Sequence, residues 1–266
     1  MPSFWSRIVV GVALLPIVLW FGWLGGWWLF AIALVGGILA LHELYAISRG
    51  LRPLVLGGYA GLVLVLLGAE LGGPAWLVAG IGGTFVVSFL IFGISDARPS
   101  FTAAMGTTVL GVVWVAGGLA ALILVRDGDR GRLALFTVLL AVWADDTAAY
   151  FVGRLIGRHR MAPTLSPKKS WEGFLAGTAA AIAVAFFALY QERETFLAIW
   201  QTVVLGAAIA VAAALGDLFE SAVKRDASVK DSGRLLGGHG GFLDRLDSLL
   251  FAGPAAYAAI LAFGHA

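Results

Sequence analysis

Long apolar segments separated by short polar ones make up most of the sequence, and this pattern leaves few folds open to the chain. Nine segments approach the roughly 20 apolar residues that a helix needs to cross a membrane. Lipid offers the backbone no hydrogen-bond partners, so such segments cross as helices. We therefore predict an all-α, polytopic membrane protein with nine spans: Ile8–Leu24, Trp27–Ile47, Leu54–Leu71, Ala75–Phe92, Ala103–Val125, Leu133–Phe151, Phe174–Tyr190, Phe196–Phe219 and Leu246–Phe263.

Composition agrees with a chain that lies in lipid. Hydrophobic residues make up 60% of it and charged residues 13%, and its mean hydropathy is +0.93. Soluble domains are about 45–50% apolar and about 25% charged. A net charge of +2 does not favour a nucleic acid partner. The absence of cysteine excludes disulfides and thiolate metal sites.

The chain is expected to form one membrane domain over 1–266. N-terminal helices would occupy about 1–130, and catalytic helices with their cytoplasmic loops about 131–266. The first apolar segment follows Arg7 as a signal peptide would, but it is long, and no small-residue cleavage site comes after it. We interpret it as a retained first span.

The basic residues predict the orientation. With a cytoplasmic N-terminus, 14 of the 18 Lys and Arg residues fall on the cytoplasmic side, as the positive-inside rule requires. Two polar connections then face the cytoplasm, the first polar loop (Gly153–Glu172) and the second polar loop (Glu220–Asp247). We expect a multi-pass protein of the plasma or inner membrane with a cytoplasmic site.

Four carboxylates lie within or at the ends of predicted spans: Asp145, Asp146, Asp217 and Glu220. A charge at mid-bilayer costs roughly 2.5–3.5 kcal/mol on insertion scales, so acids there need compensation. The alternative is a purely structural role, in which the acids pair with cations or snorkel to the headgroups. An ordinary solvated helix end with a Glu220–Lys224 pair would be one example. Four acids beside two basic loops favour a functional site. Residues 217, 220, 221 and 224 share one helical face.

The second polar loop brings three kinds of group together. Glycines flank His239, so the backbone can approach a ligand closely. Basic side chains suit phosphate oxygens, and carboxylates suit magnesium. The cations are Lys224, Arg225, Lys230, Arg234 and Arg245, and the acids are Asp231, Asp244 and Asp247. Together they indicate a polyphosphate ligand with a divalent metal.

The first polar loop is also basic. Prolines argue against a continuous helix from Met161 to Pro167. Lys168 and Lys169 could bind anionic headgroups or grip a substrate phosphate, and we favour the second interpretation. The sequence contains no P-loop, no Gly-x-Ser-x-Gly elbow and no zinc-ligand spacing of histidines.

Three stretches resemble the phosphatidate cytidylyltransferase, or CDP-diacylglycerol synthase, family. The longest contains Ser221, Lys224-Arg225, Lys230-Asp231, His239-Gly240-Gly241, Asp244-Arg245 and Asp247 in the family's order. The others are Asp145-Asp146-Thr147-Ala148-Ala149-Tyr150-Phe151-x-Gly153 and Leu165-Ser166-Pro167-Lys168-Lys169-Ser170-Trp171-Glu172-Gly173. The first 100 or so residues match only in hydropathy and helix layout.

The resemblance implies that CTP and phosphatidic acid react to give CDP-diacylglycerol and pyrophosphate. It implies Mg²⁺ held by Asp217 and Asp244, leaves a second cation open, and suggests a homodimer. The implied catalytic residues are Lys224, Arg225, Lys230, Asp231, His239, Asp244, Arg245 and Asp247. The implied substrate-binding residues are Asp145, Asp146, Ser166, Lys168, Lys169, Ser221, Gly240 and Gly241.

Three alternatives stay open from the residues alone. Asp217 could pair with Lys224, and Asp244 with Arg245, as structural ion pairs rather than metal ligands. A transporter could use Asp145, Asp146 and Asp217 to relay protons or bind a cation, although the polar residues gather on one side. A related CTP-using lipid kinase or a nucleotidyltransferase acting on a polyprenyl or archaeal lipid is the third.

Overall fold

The computed structural model describes residues 15–94, 100–233 and 240–265 and shows an all-α chain with one short β-hairpin. A π-helical turn, Val112–Ala116, joins α4 to α5, and short 3₁₀ turns lie at Arg49–Leu51, Tyr190–Glu192 and Leu243–Arg245. The helices are α1 Leu15–Leu24, α2 Gly26–Ile47, α3 Val55–Ile94, α4 Phe101–Gly111, α5 Gly117–Asp127, α6 Gly131–Ile156, α7 Trp171–Leu189, α8 Ile199–Asp226 and α9 Asp247–Ala262. The strands are β1 Arg160–Ala162 and β2 Ser166–Ser170.

Six helical runs in the described residues are long and apolar enough to cross a membrane. They are Gly26–Ile47, Val55–Ile94, Phe101–Asp127, Gly131–Ile156, Trp171–Glu192 and Ile199–Asp226. The predicted all-α, multi-pass class is therefore confirmed. Helices α1 and α9 are apolar but shorter, and the start of the first predicted span lies outside the described residues. The number of nine spans and the cytoplasmic N-terminus stay predictions.

The 40-residue run α3 contains a sharp break. Gly73 has a φ of 67°, so the helical geometry stops there. A Cβ added to Gly61 would lie 2.6 Å from Thr84 Oγ1, and one added to Gly57 would lie 2.5 Å from Ser88 Oγ. These close approaches show that the two halves fold back on each other as an antiparallel pair. The third and fourth predicted spans correspond to these two arms.

The chain divides into two compact units. The first contains residues up to Leu124 together with Asp226–Leu246, and the second contains Val125–Arg225 and the residues from Asp247 onward. In the first unit, α2 packs against α3, α4 and the turn Leu243–Arg245. In the second unit, α6 packs on α7 and α9. Part of the second polar loop thus groups with the N-terminal helices.

Several element boundaries differ from the predictions. Helix α7 begins at Trp171, three residues before the predicted start, since Ser170 caps it by accepting the Gly173 N–H at 3.2 Å. The proline-containing stretch forms the antiparallel β1–β2 hairpin, which was not predicted. Helices α6 and α8 run past their predicted ends, to Ile156 and Asp226. Glu220, Ser221 and Lys224 are therefore helical, as their predicted helical face with Asp217 requires.

We predict that both polar loops face the cytoplasm, because basic residues concentrate there. The chain contains no cysteine, so single cysteines report without background. Cysteines at Ser166 and at the exposed Ser228 should react with a membrane-impermeant thiol reagent only after cells are opened. A matched cysteine at Glu194, in a predicted outer loop and 82% exposed, should react in intact cells. The reverse pattern would invert the topology.

Candidate functional site

A cavity of about 760 Å³ in the second unit contains many of the residues that the sequence singled out. Helices α6, α7 and α8 and the β1–β2 hairpin all contribute to its lining. Cations and carboxylates lie side by side in it, which suits an anionic ligand accompanied by a metal ion. The charged lining residues are Asp145, Asp146, Arg154, Arg160, Lys168, Lys169 and Asp217.

Helix α6 supplies the two adjacent acids. Asp145 is only 5% exposed and packs against α7, where a Cβ on Gly177 would lie 2.4 Å from Asp145 Oδ1. Asp146 Oδ1 accepts a hydrogen bond from Ser248 Oγ at 3.4 Å. Both acids line the cavity, and their role in substrate binding stays a prediction. Asp145 is held against its neighbouring helix, whereas Asp146 is connected to α9.

Helix α8 supplies Asp217, whose carboxylate is paired across the cavity lining. Lys169 Nζ lies 2.8 Å from Asp217 Oδ2 and also donates to the Ala214 carbonyl at 3.3 Å. Ser221 Oγ donates to Asp217 Oδ1 at 3.4 Å. The partner is thus Lys169 of the first polar loop, not Lys224 as the structural alternative supposed. The pair connects the first polar loop to α8 within one unit.

Lys224 pairs instead with Glu220, one helical turn before it. Their Nζ and Oε2 atoms are 2.5 Å apart, and Glu220 is 1% exposed. The Glu220–Lys224 pair of the alternative interpretation is therefore present, but the helix end is not an ordinary solvated one, because this carboxylate is buried. The neighbouring Arg225 Nε donates to the Leu165 carbonyl at 3.4 Å, which connects the end of α8 to the hairpin turn.

Glu172 closes the base of the first polar loop. The backbone N–H of His159 donates to its carboxylate, and His159 Nδ1 lies 2.6 Å from Glu172 Oε1. The hairpin then presents Ser166, Lys168 and Lys169 to the cavity. Gly157 is needed for close packing here, since a Cβ would lie 2.5 Å from Ser170 Oγ.

The second polar loop is organised around Asp244 in the first unit. Asp244 Oδ2 accepts the backbone N–H groups of Ser232 at 3.1 Å and Gly241 at 2.7 Å. Gly240 has a φ of 82°, a conformation that favours glycine. Three predicted catalytic residues of this unit are exposed to solvent: Lys230, Asp231 and Arg245. His239, with Arg234, Gly237 and Gly238, lies outside the described residues.

Sequence reasoning missed one acid that contacts this loop, Glu43 of α2. Its Oε2 accepts hydrogen bonds from Ser232 Oγ at 3.0 Å and from the Leu243 N–H at 2.9 Å. A signal was present, because an acid lies in an apolar helix with no basic residue three or four positions away. Such an isolated acid needs a partner from elsewhere in the chain.

The two predicted metal ligands fall in different units, Asp217 in the second and Asp244 in the first. No group of three or more histidine or carboxylate side chains in the described ranges is arranged to hold a metal ion. The donor chemistry nevertheless fits magnesium, which prefers oxygen ligands and usually takes one or two carboxylates together with substrate phosphates and water. The metal assignment stays a prediction.

Comparison with known proteins gives a consistent family. A model of the cytidylyltransferase family matches residues 5–263. The chain is 36% identical over 252 residues to a phosphatidate cytidylyltransferase of Mycobacterium tuberculosis, covering 85% of this chain and 73% of that protein. It is 32% identical over 263 residues to the phosphatidate cytidylyltransferase of Brucella suis, covering 97% and 93%. A Staphylococcus epidermidis phosphatidate cytidylyltransferase is 32% identical over 253 residues, covering 94% of each chain.

We predict that Gly177→Ala destabilises the second unit. The added methyl group would overlap Asp145 Oδ1, and overpacking of this kind costs typically about 1–3 kcal/mol. Gly82→Ala is the matched control, because a Cβ there meets no atom within 4 Å. Thermal unfolding in detergent should show a lower melting temperature for Gly177→Ala alone. Equal melting temperatures for the two variants would contradict the close α6–α7 contact.

Proposed function

This chain belongs to the cytidylyltransferase family, and from that premise we propose that it is a phosphatidate cytidylyltransferase. It transfers the cytidylyl group of CTP to phosphatidic acid, yielding CDP-diacylglycerol and pyrophosphate for phospholipid synthesis. The observation that carries the proposal beyond family membership is the cavity of the second unit. It combines four cationic side chains with three carboxylates and is built on helices long and apolar enough to lie in a membrane.

The chemistry that such a site must supply is mainly electrostatic. A phosphate oxygen of phosphatidic acid attacks the α-phosphorus of CTP, and the bond from that phosphorus to the pyrophosphate oxygen breaks. The nucleophile is already an anion, so the site needs no activated serine or cysteine. The difficulty is to bring two anions together, and fixed cations reduce that repulsion as charge develops at phosphorus.

The cavity cations are suited to this task. Arg160 and Lys168 can donate hydrogen bonds to phosphate oxygens, and guanidinium groups can do so bidentately. Arg154, whose Nη1 donates to Tyr150 Oη at 3.0 Å, is held at the same lining. The volume of about 760 Å³ lies within the roughly 300–1,000 Å³ of ligand pockets. We assign phosphate binding to these side chains, with Ser166 and Lys169 beside them.

The second polar loop contributes the remaining proposed residues. Lys224, Arg225 and Lys230 would hold phosphates, and His239 with its glycines would lie against the nucleotide. Gly241 can do so only through its carbonyl or Cα, since its N–H already donates to Asp244. We assign Asp231, Arg245 and Asp247 to the catalytic set because they complete the family's motif.

Magnesium is the proposed cofactor, with Asp217 and Asp244 as its protein ligands. A bound divalent cation would neutralise phosphate charge and polarise the reacting phosphoryl group. The chain's own residues orient these acids: Lys169 and Ser221 hold Asp217, whereas the N–H groups of Ser232 and Gly241 hold Asp244.

We further propose the cellular setting. The chain would lie in the plasma or inner membrane, and the distribution of basic residues favours both polar loops in the cytoplasm, where CTP is available. The chain is expected to act as a homodimer. Chemical crosslinking in native membranes, compared before and after dilution into detergent, tests that expectation.

Incubation of membranes with CTP labelled at the α-phosphorus tests the reaction. Label should enter lipid when phosphatidic acid is supplied and should not enter with polyprenyl phosphates or archaeal lipid phosphates. Labelling from the γ-phosphorus would indicate a kinase instead, and neither label entering lipid would favour the transporter alternative.

Arg160→Gln should lower kcat/KM by roughly tenfold to a hundredfold, since a hydrogen bond to a charged group contributes about 1.5–3 kcal/mol. Arg193→Gln, the same change in a predicted outer loop, should have no effect.

The metal assignment makes a separate prediction. Asp217→Asn and Asp244→Asn are nearly isosteric, so each should abolish turnover and the magnesium response while leaving the melting temperature near that of the wild type. Lys169→Met is the control for Asp217, because it removes the ion-pair partner and keeps the carboxylate. It should retain a magnesium-dependent activity. Near-wild-type turnover of either Asn variant with an unchanged magnesium midpoint would remove that residue from the metal site.

A further inference from the structure

The buried carboxylate of Glu43 lies where both arms of the second polar loop meet α2. Glu43 is 3% exposed, and its contacts are 189 and 200 residues away along the chain. Ser232 belongs to the arm before residues 234–239, and Leu243 belongs to the arm after them. One oxygen, Oε2, accepts a hydrogen bond from each arm.

The backbone of the loop is packed directly against this carboxylate. A Cβ added to Gly233 would lie 2.2 Å from Glu43 Oε1, and one added to Gly241 would lie 2.4 Å from Glu43 Oε2. No side chain larger than hydrogen fits at either position without a shift. The glycine at 241 is therefore explained by its approach to Glu43, which is a different reason from close approach to a nucleotide.

The hydrogen bonds at Glu43 continue to Asp244 through Ser232. Ser232 donates its hydroxyl to Glu43 and its backbone N–H to Asp244, so one residue connects the two carboxylates. Asp244 in turn accepts the N–H of Gly241. Displacement of Ser232 would therefore disturb Asp244 and the adjoining Arg245, which are both proposed catalytic residues.

We propose that Glu43 is a positioning residue for the second polar loop. Its carboxylate holds Ser232 and Leu243 together and thereby places Asp244 for the reaction. It acts as a hydrogen-bond acceptor, since the described contacts of Oε2 are with donors. The activity readout of this inference rests on the proposed function, so a second readout that needs no turnover is included.

The variants distinguish the hydrogen-bond acceptor role of Glu43 from the volume that its side chain fills. Glu43→Gln keeps an acceptor oxygen and should stay within a few-fold of wild-type kcat, whereas Glu43→Ala should lose at least tenfold. Ser232→Ala removes one of the two contacts and should fall between them. His42→Ala is the matched control, because His42 is exposed on the same helix and contacts Tyr59 rather than the loop. It should be as active as the wild type.

Limited trypsin digestion in detergent measures directly how accessible the second polar loop is to a protease. Lys230 is exposed within the loop, and Arg158 is exposed in the second unit as an internal reference. The rate of cleavage after Lys230 relative to Arg158 should rise at least several-fold in Glu43→Ala and stay near the wild-type ratio in Glu43→Gln and His42→Ala. This ratio of cleavage rates can be interpreted even where no cytidylyl transfer is detected.

Three results would overturn the proposal. The first is Glu43→Ala with both wild-type kcat and the wild-type cleavage ratio. The second is equal loss in Glu43→Gln and Glu43→Ala, which would show that acceptance by a neutral oxygen is not sufficient. The third is faster cleavage at both sites with a lower melting temperature, which would reduce the role of Glu43 to general stability.

Discussion

The structure depends on the inability of lipid to hydrogen-bond with the chain. Backbone groups in hydrocarbon must be paired within their own segment, so the apolar runs are helices. Charged side chains face the same constraint and need a partner that the fold supplies. In the second unit Asp217 is paired with Lys169, and Glu220 with Lys224. In the first unit Glu43 accepts hydrogen bonds from a serine hydroxyl and a backbone N–H.

The lipid environment also explains why the helices pack closely. Lipid tails are as apolar as leucine, so helices do not gain by excluding water from one another and depend on close contact instead. Glycines provide this contact. A Cβ on Gly206 of α8 would lie 2.6 Å from the Cα of Ile182 on α7. Gly61 approaches Thr84 in the same way, within the two arms of α3. Many of the 36 glycines therefore serve helix packing rather than loop flexibility.

The two polar loops achieve order by different means. The first is short and closed at its base by His159 and Glu172, so a small hairpin presents its lysines to the cavity. The second has no strand in its described parts and is organised by carboxylates. Asp244 binds two of its N–H groups, and Glu43 reaches it from α2. Asp244 within the loop and Glu43 from α2 thus order the loop backbone, a role that differs from ligand binding.

The sequence by itself determined the class of fold and the residues that carry charge. The length and apolar character of the segments identified the helices, because membrane thickness imposes a length on each span. The i, i+4 contacts of α8 also followed from spacing alone, since Ser221 bonds to Asp217 and Lys224 to Glu220 as helical geometry dictates. The hairpin was not predicted, although the prolines excluded a helix there.

Only the tertiary structure decided which charges meet. Lys169 and Asp217 are 48 positions apart, and Glu43 and Leu243 are 200 apart, so no local periodicity relates them. The same holds for the grouping of residues 226–246 with the N-terminal helices. A helical pattern specifies which side chains share one face of a single element. It does not specify which other element that face meets, because that choice depends on packing between helices and on the small residues that allow their close approach.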